Sequence, residues 1–371
     1  MLILKKINVA VIGMNFGKEF VKIYQKHPNI NQVAICQRNH EALNKIGDEL
    51  GIAKTMRFTD FEAVCACPEI DAIHIVTPIS DHAKQSIAAL SAGKHVACTV
   101  PMATSLEDLH AICDAQHASG KKYMMMETAV YTREYLYVKK HVENGDFGKI
   151  QFVRGSHMQN MGLTGWPEYW LGFPPFWYGT HAISPLLMIN KTTAAYVIGH
   201  GSGSISAELA ERYGSPFAVE TLTIRLENTD VMAEATRSLY ETVRQYRESF
   251  DIYGSKMAYE WDQIEDEGPC LFEGGESARR IDIPDTDELL IDEIKSFTKR
   301  GEIIDKDNVS FIQGAGHGGS HPHLIQEFVA AIIENREPAL NAKISANITA
   351  AGICGHESCL KGGEKIFIPE F

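Results

Sequence analysis

No stretch of this 371-residue chain approaches the ~20 consecutive apolar residues that a membrane-spanning helix requires, so a membrane partner is not expected. Positive charge is scarce as well. Lys and Arg number 35 against 48 Asp and Glu, a formal net charge of −13, which removes the electrostatic footprint of a nucleic-acid or anionic-surface binder. The eight cysteines, at 36, 65, 67, 98, 113, 270, 354 and 359, make no C-x-x-C pair, and several lie inside apolar runs. Reduced, buried thiols are expected, with no disulfide. No internal repeat is present, and no cleavage site separates Met1–Lys6 from the first strand, so the expected address is the cytoplasm.

What the chain does have is apolar residues, 44% of the total, enough for a large core and, at this length, for two domains. The run Ile7–Ile12 empties into Gly13-Met14-Asn15-Phe16-Gly17 and then an amphipathic helix expected from about residue 17 to 27. A strand buried on both faces reads as a continuous apolar run, and a glycine after it lets backbone approach a phosphate at the next helix's positive end. A dinucleotide site is therefore expected here. The fingerprint G-x-G-x-x-G is incomplete, since Asn15 takes the middle place and Gly17 comes one residue early; asparagine tolerates left-handed backbone, and Phe16 is positioned to lie over a cofactor. The second strand, Gln32–Cys36, ends in Gln37-Arg38 where an NAD site usually places an acid. Gln37 can bond a ribose hydroxyl and Arg38 can stack on adenine or meet a 2′-phosphate, so NAD and NADP both stay open.

Strand and helix patterns alternate to about residue 127, through strands 72–76 and 95–98 and the final 122–126, which predicts a doubly wound parallel sheet with its ligand at the strands' carboxyl ends. Thr77 and Thr99 lie at those ends. After about 149 the pattern changes to strands without intervening helices, at 150–156, 195–199, 219–226, 231–238, 248–253 and 256–261. The expected fold class is α/β: an N-terminal Rossmann domain, residues 1–127, and an α+β domain, 128–371, with a large, mostly antiparallel open sheet. Segment 262–275, acidic and glycine-bearing, reads as a surface loop. A long aromatic loop, 158–175, precedes a helix expected from Gly179 to Ile189, and such loops commonly serve a site.

Thr77-Pro78 with His82, followed about 20 residues on by the tripeptide Thr99-Val100-Pro101, resembles the strand-end motifs of the Gfo/Idh/MocA oxidoreductase family, as do Asn144–Ile150 and a histidine at 181. The resemblance covers nearly the whole chain. It implies NAD or NADP as cofactor, a sugar or polyol as small-molecule substrate, and a homo-oligomer, dimer or tetramer, with the second domain's sheet as the contact face. It implies cofactor contacts from Gly13, Asn15, Phe16, Gly17, Gln37, Arg38, Thr77, Pro78, His82, Thr99 and Val100. The family usually writes the tripeptide Glu-Lys-Pro and places an Asp four residues before the histidine; here Val100 and Trp177 stand instead. Segments 123–134 and 178–185 are similar to the NAD-dependent glycoside hydrolases of the α-N-acetylgalactosaminidase type, a branch that also lacks that lysine.

Oxidation of a hydroxyl needs a proton acceptor with a pKa near working pH, which makes His181 the first candidate base, with Tyr131 and Tyr178 next. A histidine capping or packing a helix is the alternative for His181. Trp166 and Trp170 offer aromatic faces to a sugar ring, while Glu127, Arg133 and His157 are candidate hydroxyl ligands. His317, His321 and His323 fall within seven residues, but Pro322 would splay the rings and no carboxylate completes a set, so no metal is expected. Three functions follow for testing: an NAD(P)-dependent oxidoreductase of a sugar or polyol hydroxyl, a redox-neutral glycoside hydrolase or lyase working through transient oxidation, and a non-catalytic nucleotide-binding sensor or scaffold.

Overall fold

A computed structural model describes residues 5–161, 167–244, 246–264, 267–274, 277–299 and 317–371. The chain divides into two compact units: Met1–Arg133 with Asp285–Ala346 and Phe371, and Glu134–Pro284 with Asn347–Glu370. That division differs from the one expected at residue 127, because Asp285–Lys299 and His317–Ala346 group with the first unit.

In the first unit, strands β1 (Ile7–Ile12), β2 (Ile30–Cys36), β3 (Arg57–Phe58), β4 (Ala72–Ile75), β5 (His95–Cys98) and β6 (Tyr123–Met125) form one sheet in the order 3-2-1-4-5-6. Every pairing is parallel. The apolar runs read from the sequence are the buried strands: Val9, Val11, Ile73 and Val96 are fully covered, each contributing about 1.5–3 kcal/mol by burial. Register aligns Ile12 with Cys36 and with Ile75, and Ile75 with Cys98, so Gly13, Gln37, Thr77 and Thr99 follow strands that end on one edge. The first helix spans Met14–Lys26, starting earlier than the sequence suggested. Gly17 lies inside it, where a Cβ would stand 3.0 Å from Val11 Cγ1; this glycine serves close helix-to-strand packing, not the turn.

The returning segment completes this unit. Met125 N donates to the Leu340 carbonyl (3.1 Å), and helix Ser320–Ile333 packs on helix Met14–Lys26, with the His321 and Phe20 rings 4.7 Å apart.

The second unit is built on nine strands: β7 (Ile150–Met158), β8 (Ala194–Ser202), β9 (Val219–Leu226), β10 (Met232–Ser238), β11 (Arg247–Gly254), β12 (Met257–Glu260), β13 (Cys270–Glu273), β14 (Ser277–Arg280) and β15 (Ile366–Phe367). Their order is 14-13-12-11-7-10-9-8-15. Only β7 with β10 is parallel. The expected open, mostly antiparallel sheet is therefore present, and β13 forms inside the segment read as a loop. Alternation on β7 puts Val153, Gly155 and His157 on the buried face and Arg154 on the other, where it pairs with Asp251 at 2.6 Å. Helix Thr180–Ile189, buried at nine of its ten residues, covers the inner face across β7, β10 and β11.

Candidate functional site

The chemistry divides between the two units. In the first, a cleft of about 440 Å³ opens at the carboxyl edge of the sheet, lined by Gly13, Asn15, Gln37, Arg38, Thr77 and Pro78 among others. Gly13 has φ +90°, and a Cβ there would press into the Val76 peptide, 2.9 Å from its carbonyl carbon. Only glycine fits this turn, and the helix that begins at Met14 directs its free N–H groups toward the cleft mouth. The backbone cradle, the cleft size and the helix end together suit a dinucleotide.

Not every expected contact lies in that lining. Phe16 is 36% exposed and turns its ring edge toward Phe20, His317 and His321. Thr99 and Val100 sit at the end of β5, Thr99 Oγ1 on the Ile75 carbonyl (3.2 Å) and Val100 packed at 9% exposure. His82 is buried and ties two strand ends together, Nδ1 on the Pro101 carbonyl at 2.8 Å and Nε2 on the Thr77 carbonyl at 3.0 Å. Burial pulls its pKa down, but Cys98 and the two carbonyls more than reverse this, raising it to about 9. Sequence reading missed the acids of the cleft. Asp60 caps the helix Phe61–Ala66 after β3, Glu62 lies in that helix's first turn, and Asp81 ends the short helical turn Ile79–Asp81 after β4; none comes from the end of β2.

The other candidates of the first unit are held structurally. Glu127 is fully buried and accepts from Ala129 N at 2.9 Å. Arg133 donates to the Thr298 carbonyl at 3.0 Å and lies 3.7 Å from Asp285. Half-buried Tyr131 ends the short turn Thr128–Val130. Gly318 and Gly319 make the tight turn expected beside the three histidines. His317 Nδ1 meets His321 Nε2 at 3.0 Å, whereas His323 turns to Thr286 at 3.3 Å, its pKa lowered by burial to about 4.

In the second unit, the hydrogen-bond register of the sheet sets four polar residues in one row on the buried face. His157 on β7 is opposite Glu248 on β11 and Arg237 on β10, and Arg237 is opposite Glu220 on β9. Above them the helix Thr180–Ile189 comes down onto Gly155, where any Cβ would strike the Ala182 peptide, 3.1 Å from its carbonyl carbon. That close approach brings His181 onto His157, with ring centroids 5.0 Å apart. His181 Nε2 lies 3.2 Å from Tyr178 Oη.

Arg237 is fully buried and holds this arrangement: Nε donates to the Tyr178 carbonyl (2.9 Å), Nη1 to the His157 carbonyl (3.0 Å) and Nη2 to Gln159 (2.9 Å). Its guanidinium carbon lies 5.2 Å over the Tyr178 ring. Burial lowers its pKa to about 10, so it stays a cation at neutral pH. Glu220 anchors the preceding turn by accepting from Phe176 N at 2.9 Å while its other oxygen meets His356 Nδ1 at 2.5 Å. Trp170 is buried, its ring 4.7 Å from that of Tyr178, as packing and not as an open platform. Trp166 lies outside the described residues. Among the described residues, Glu248, His157 and His181 are the one group of three or more His, Cys, Asp or Glu whose donor atoms all approach within 4.8 Å. They come from segments far apart in the chain, so no spacing motif could have announced them.

A family model described as "Oxidoreductase family, NAD-binding Rossmann fold" matches residues 7–127. A Glycosyl hydrolase family 109 protein of Porphyromonas gingivalis is 28% identical over 175 residues, 45% of this chain and 37% of that protein. A levoglucosan dehydrogenase of Pseudarthrobacter phenanthrenivorans is 29% identical over 164 residues, 42% of each chain. The matched segments span less than half the length of these relatives. Among solved structures, a levoglucosan dehydrogenase in complex with NADH and levoglucosan superposes with a TM-score of 0.79 at 18% identity, covering 99% of this chain and 100% of that one. Apo scyllo-inositol dehydrogenase of Lactobacillus casei gives 0.71 at 18%, covering 99% of each. At these identities the structural likeness speaks for the fold.

Proposed function

We propose, for a chain whose residues 7–127 are an NAD-binding Rossmann fold of the Gfo/Idh/MocA oxidoreductase family, that it oxidises a hydroxyl of a sugar, sugar derivative or polyol. The observation that carries this reading is the 3.2 Å approach of His181 Nε2 to Tyr178 Oη, beside a buried second histidine. When bound, the nicotinamide supplies a hydride acceptor. The rest falls to side chains. A substrate hydroxyl gives its proton to the Tyr178 oxygen while the phenol's own proton passes to His181, a two-member relay. Arg237, held against that phenol, offsets the negative charge that develops on it during the transfer.

Val100 offers no proton acceptor where the resemblance implies a lysine; Tyr178 with His181 is the acid–base pair proposed, and Tyr131 is a separate candidate phenol. The cofactor cleft carries three acids, Asp60, Glu62 and Asp81, against two cations, Arg38 and Lys84, and either NAD or NADP is the proposed cofactor. A cytoplasmic address fits eight free cysteines, and a homo-dimer or tetramer through the exposed face of the second unit's sheet is the proposed assembly. The Glycosyl hydrolase family 109 relatives support a second reading, in which the same relay serves redox-neutral cleavage of a glycoside.

One experiment separates these. The protein is incubated with NAD or NADP and panels of free sugars and chromogenic glycosides, and reduced nicotinamide and released aglycone are both followed. Net reduced nicotinamide with a free sugar supports the oxidoreductase; NAD-dependent aglycone release without it supports the hydrolase. Neither product, together with no hydride exchange from labelled sugars, overturns both and leaves a binding protein.

A further inference from the structure

We propose that His157, His181 and Glu248 bind a divalent transition-metal ion of the zinc class, leaving an open coordination position for an oxygen of a hydroxylated ligand. Two imidazoles and one carboxylate form a donor set that suits zinc and its neighbours, and three protein ligands are the number that leaves room for a further ligand. The donor atoms already lie within 4.8 Å of one another. Ligands on such an ion stand about 3–3.5 Å apart, given metal–ligand distances near 2 Å, so modest side-chain rotation closes the set.

The scaffold holds these donors independently of any ion. His157 and Glu248 are paired by strand register, and His181 is pressed down by the helix contact at Gly155. Outer-sphere partners that orient ligands are also in place: Tyr246 Oη donates to Glu248 Oε1 at 2.8 Å, and Tyr178 Oη stands by His181 Nε2. Arg237, the cation in the same row, has donors committed to the Tyr178, His157 and Ser238 carbonyls and to Gln159, and among the described residues it makes no ion pair with the Glu248 carboxylate. His157 and His181 are buried while Glu248 is half-buried, so the open position faces the more exposed side of the row.

The existence of the site does not depend on the oxidoreductase reading, but its role rests on it. An ion there would hold the substrate hydroxyl and lower its pKa; the hydroxyl proton would then pass to the Tyr178 oxygen as the phenol releases its own proton to solvent in place of His181.

The test uses the full chain, stripped with a chelator and titrated with Co2+, whose visible d–d bands report low-coordinate binding. One equivalent is expected, with bands that shift on adding a polyol. Glu248→Gln and His157→Gln are each expected to weaken Co2+ binding about tenfold or more while retaining the parent melting curve and NAD affinity. No visible band, or variants that bind Co2+ like the parent, would overturn the site. Should a variant fail to fold, competition between Zn2+ and Co2+ on the parent decides: displacement of one equivalent supports the site and none overturns it. Co2+ binding without NAD-dependent turnover leaves this inference standing and removes the oxidoreductase reading; turnover by protein that takes up no ion does the reverse.

Discussion

Replacing Gly13 by alanine tests the cradle on which nucleotide binding depends. Two effects add there. The residue has φ +90°, a region that costs an L-residue roughly 1–2 kcal/mol, and the new Cβ lies 2.9 Å from the Val76 carbonyl carbon, with Thr77 N at 3.2 Å. Carbon–carbon contacts relax near 3.5 Å, so the turn after β1 and the end of β4 must part by about 0.6 Å or more. Both define the mouth of the cleft. We expect about 2–4 kcal/mol of total cost, with enough of it in binding to weaken NADH about ten- to a hundredfold by calorimetry, and a lower melting temperature. Gly51→Ala is the control: it too has positive φ, +66°, but nothing lies within 4 Å of its Cβ, so it carries backbone strain without collision. Should Gly13→Ala bind NADH within twofold of the parent, or Gly51→Ala weaken it as much, the collision argument is wrong.

Gly155→Ala is expected to lift the helix Thr180–Ile189 off β7; a shift near 1 Å at His181 lowers kcat/KM about a hundredfold with little change in NADH affinity, measured by steady-state kinetics and calorimetry. Glu220→Gln breaks the buried contact with His356 that also anchors Phe176, and removing one partner of such a pair costs about 3–5 kcal/mol, read as a fall in the urea midpoint. Acid should also destabilise the fold. Burial holds His74 down at about 3 and His323 at about 4, below the unfolded value of 6.5, so the unfolded chain binds more protons between those limits. Stability is then full above about pH 6.5 and is lost as pH falls toward 4, checked by urea midpoints across that range. His82 runs the other way: with its pKa raised to about 9, its contribution is present below 6.5 and lost as pH rises through 9, a loss that His82→Gln should remove.

The first sheet was legible because its central strands β1 and β4 are buried on both faces and read as largely apolar runs, with β1 matching residue for residue. The glycine turn could also be read, from its local backbone demand. What could not be read is register. Glu248, His157, Arg237 and Glu220 become neighbours through hydrogen bonds between strands far apart in the chain, and no periodicity within one strand encodes that alignment. Strands β13 and β14 escaped for a different reason. At the edge of a sheet, charged residues are tolerated on both faces, all of β14 is exposed, and the alternation that identifies a strand fades. Arg133 shows the limit for side chains: its partners, Thr298 and Asp285, lie in the segment that returns to its unit late in the chain.

The return of Asp285–Lys299 and His317–Ala346 to the unit with the parallel sheet bears on how the protein is made. At a ribosomal pace of about 5–20 residues per second, β6 leaves the exit tunnel roughly ten to forty seconds before Leu340 arrives to take its Met125 amide. Through that interval the apolar side of helix Met14–Lys26 awaits helix Ser320–Ile333. A nascent chain of this design leaves that helix side and the Met125 amide without their partners for the whole interval, and a truncated clone ending at Arg133 would leave them so permanently.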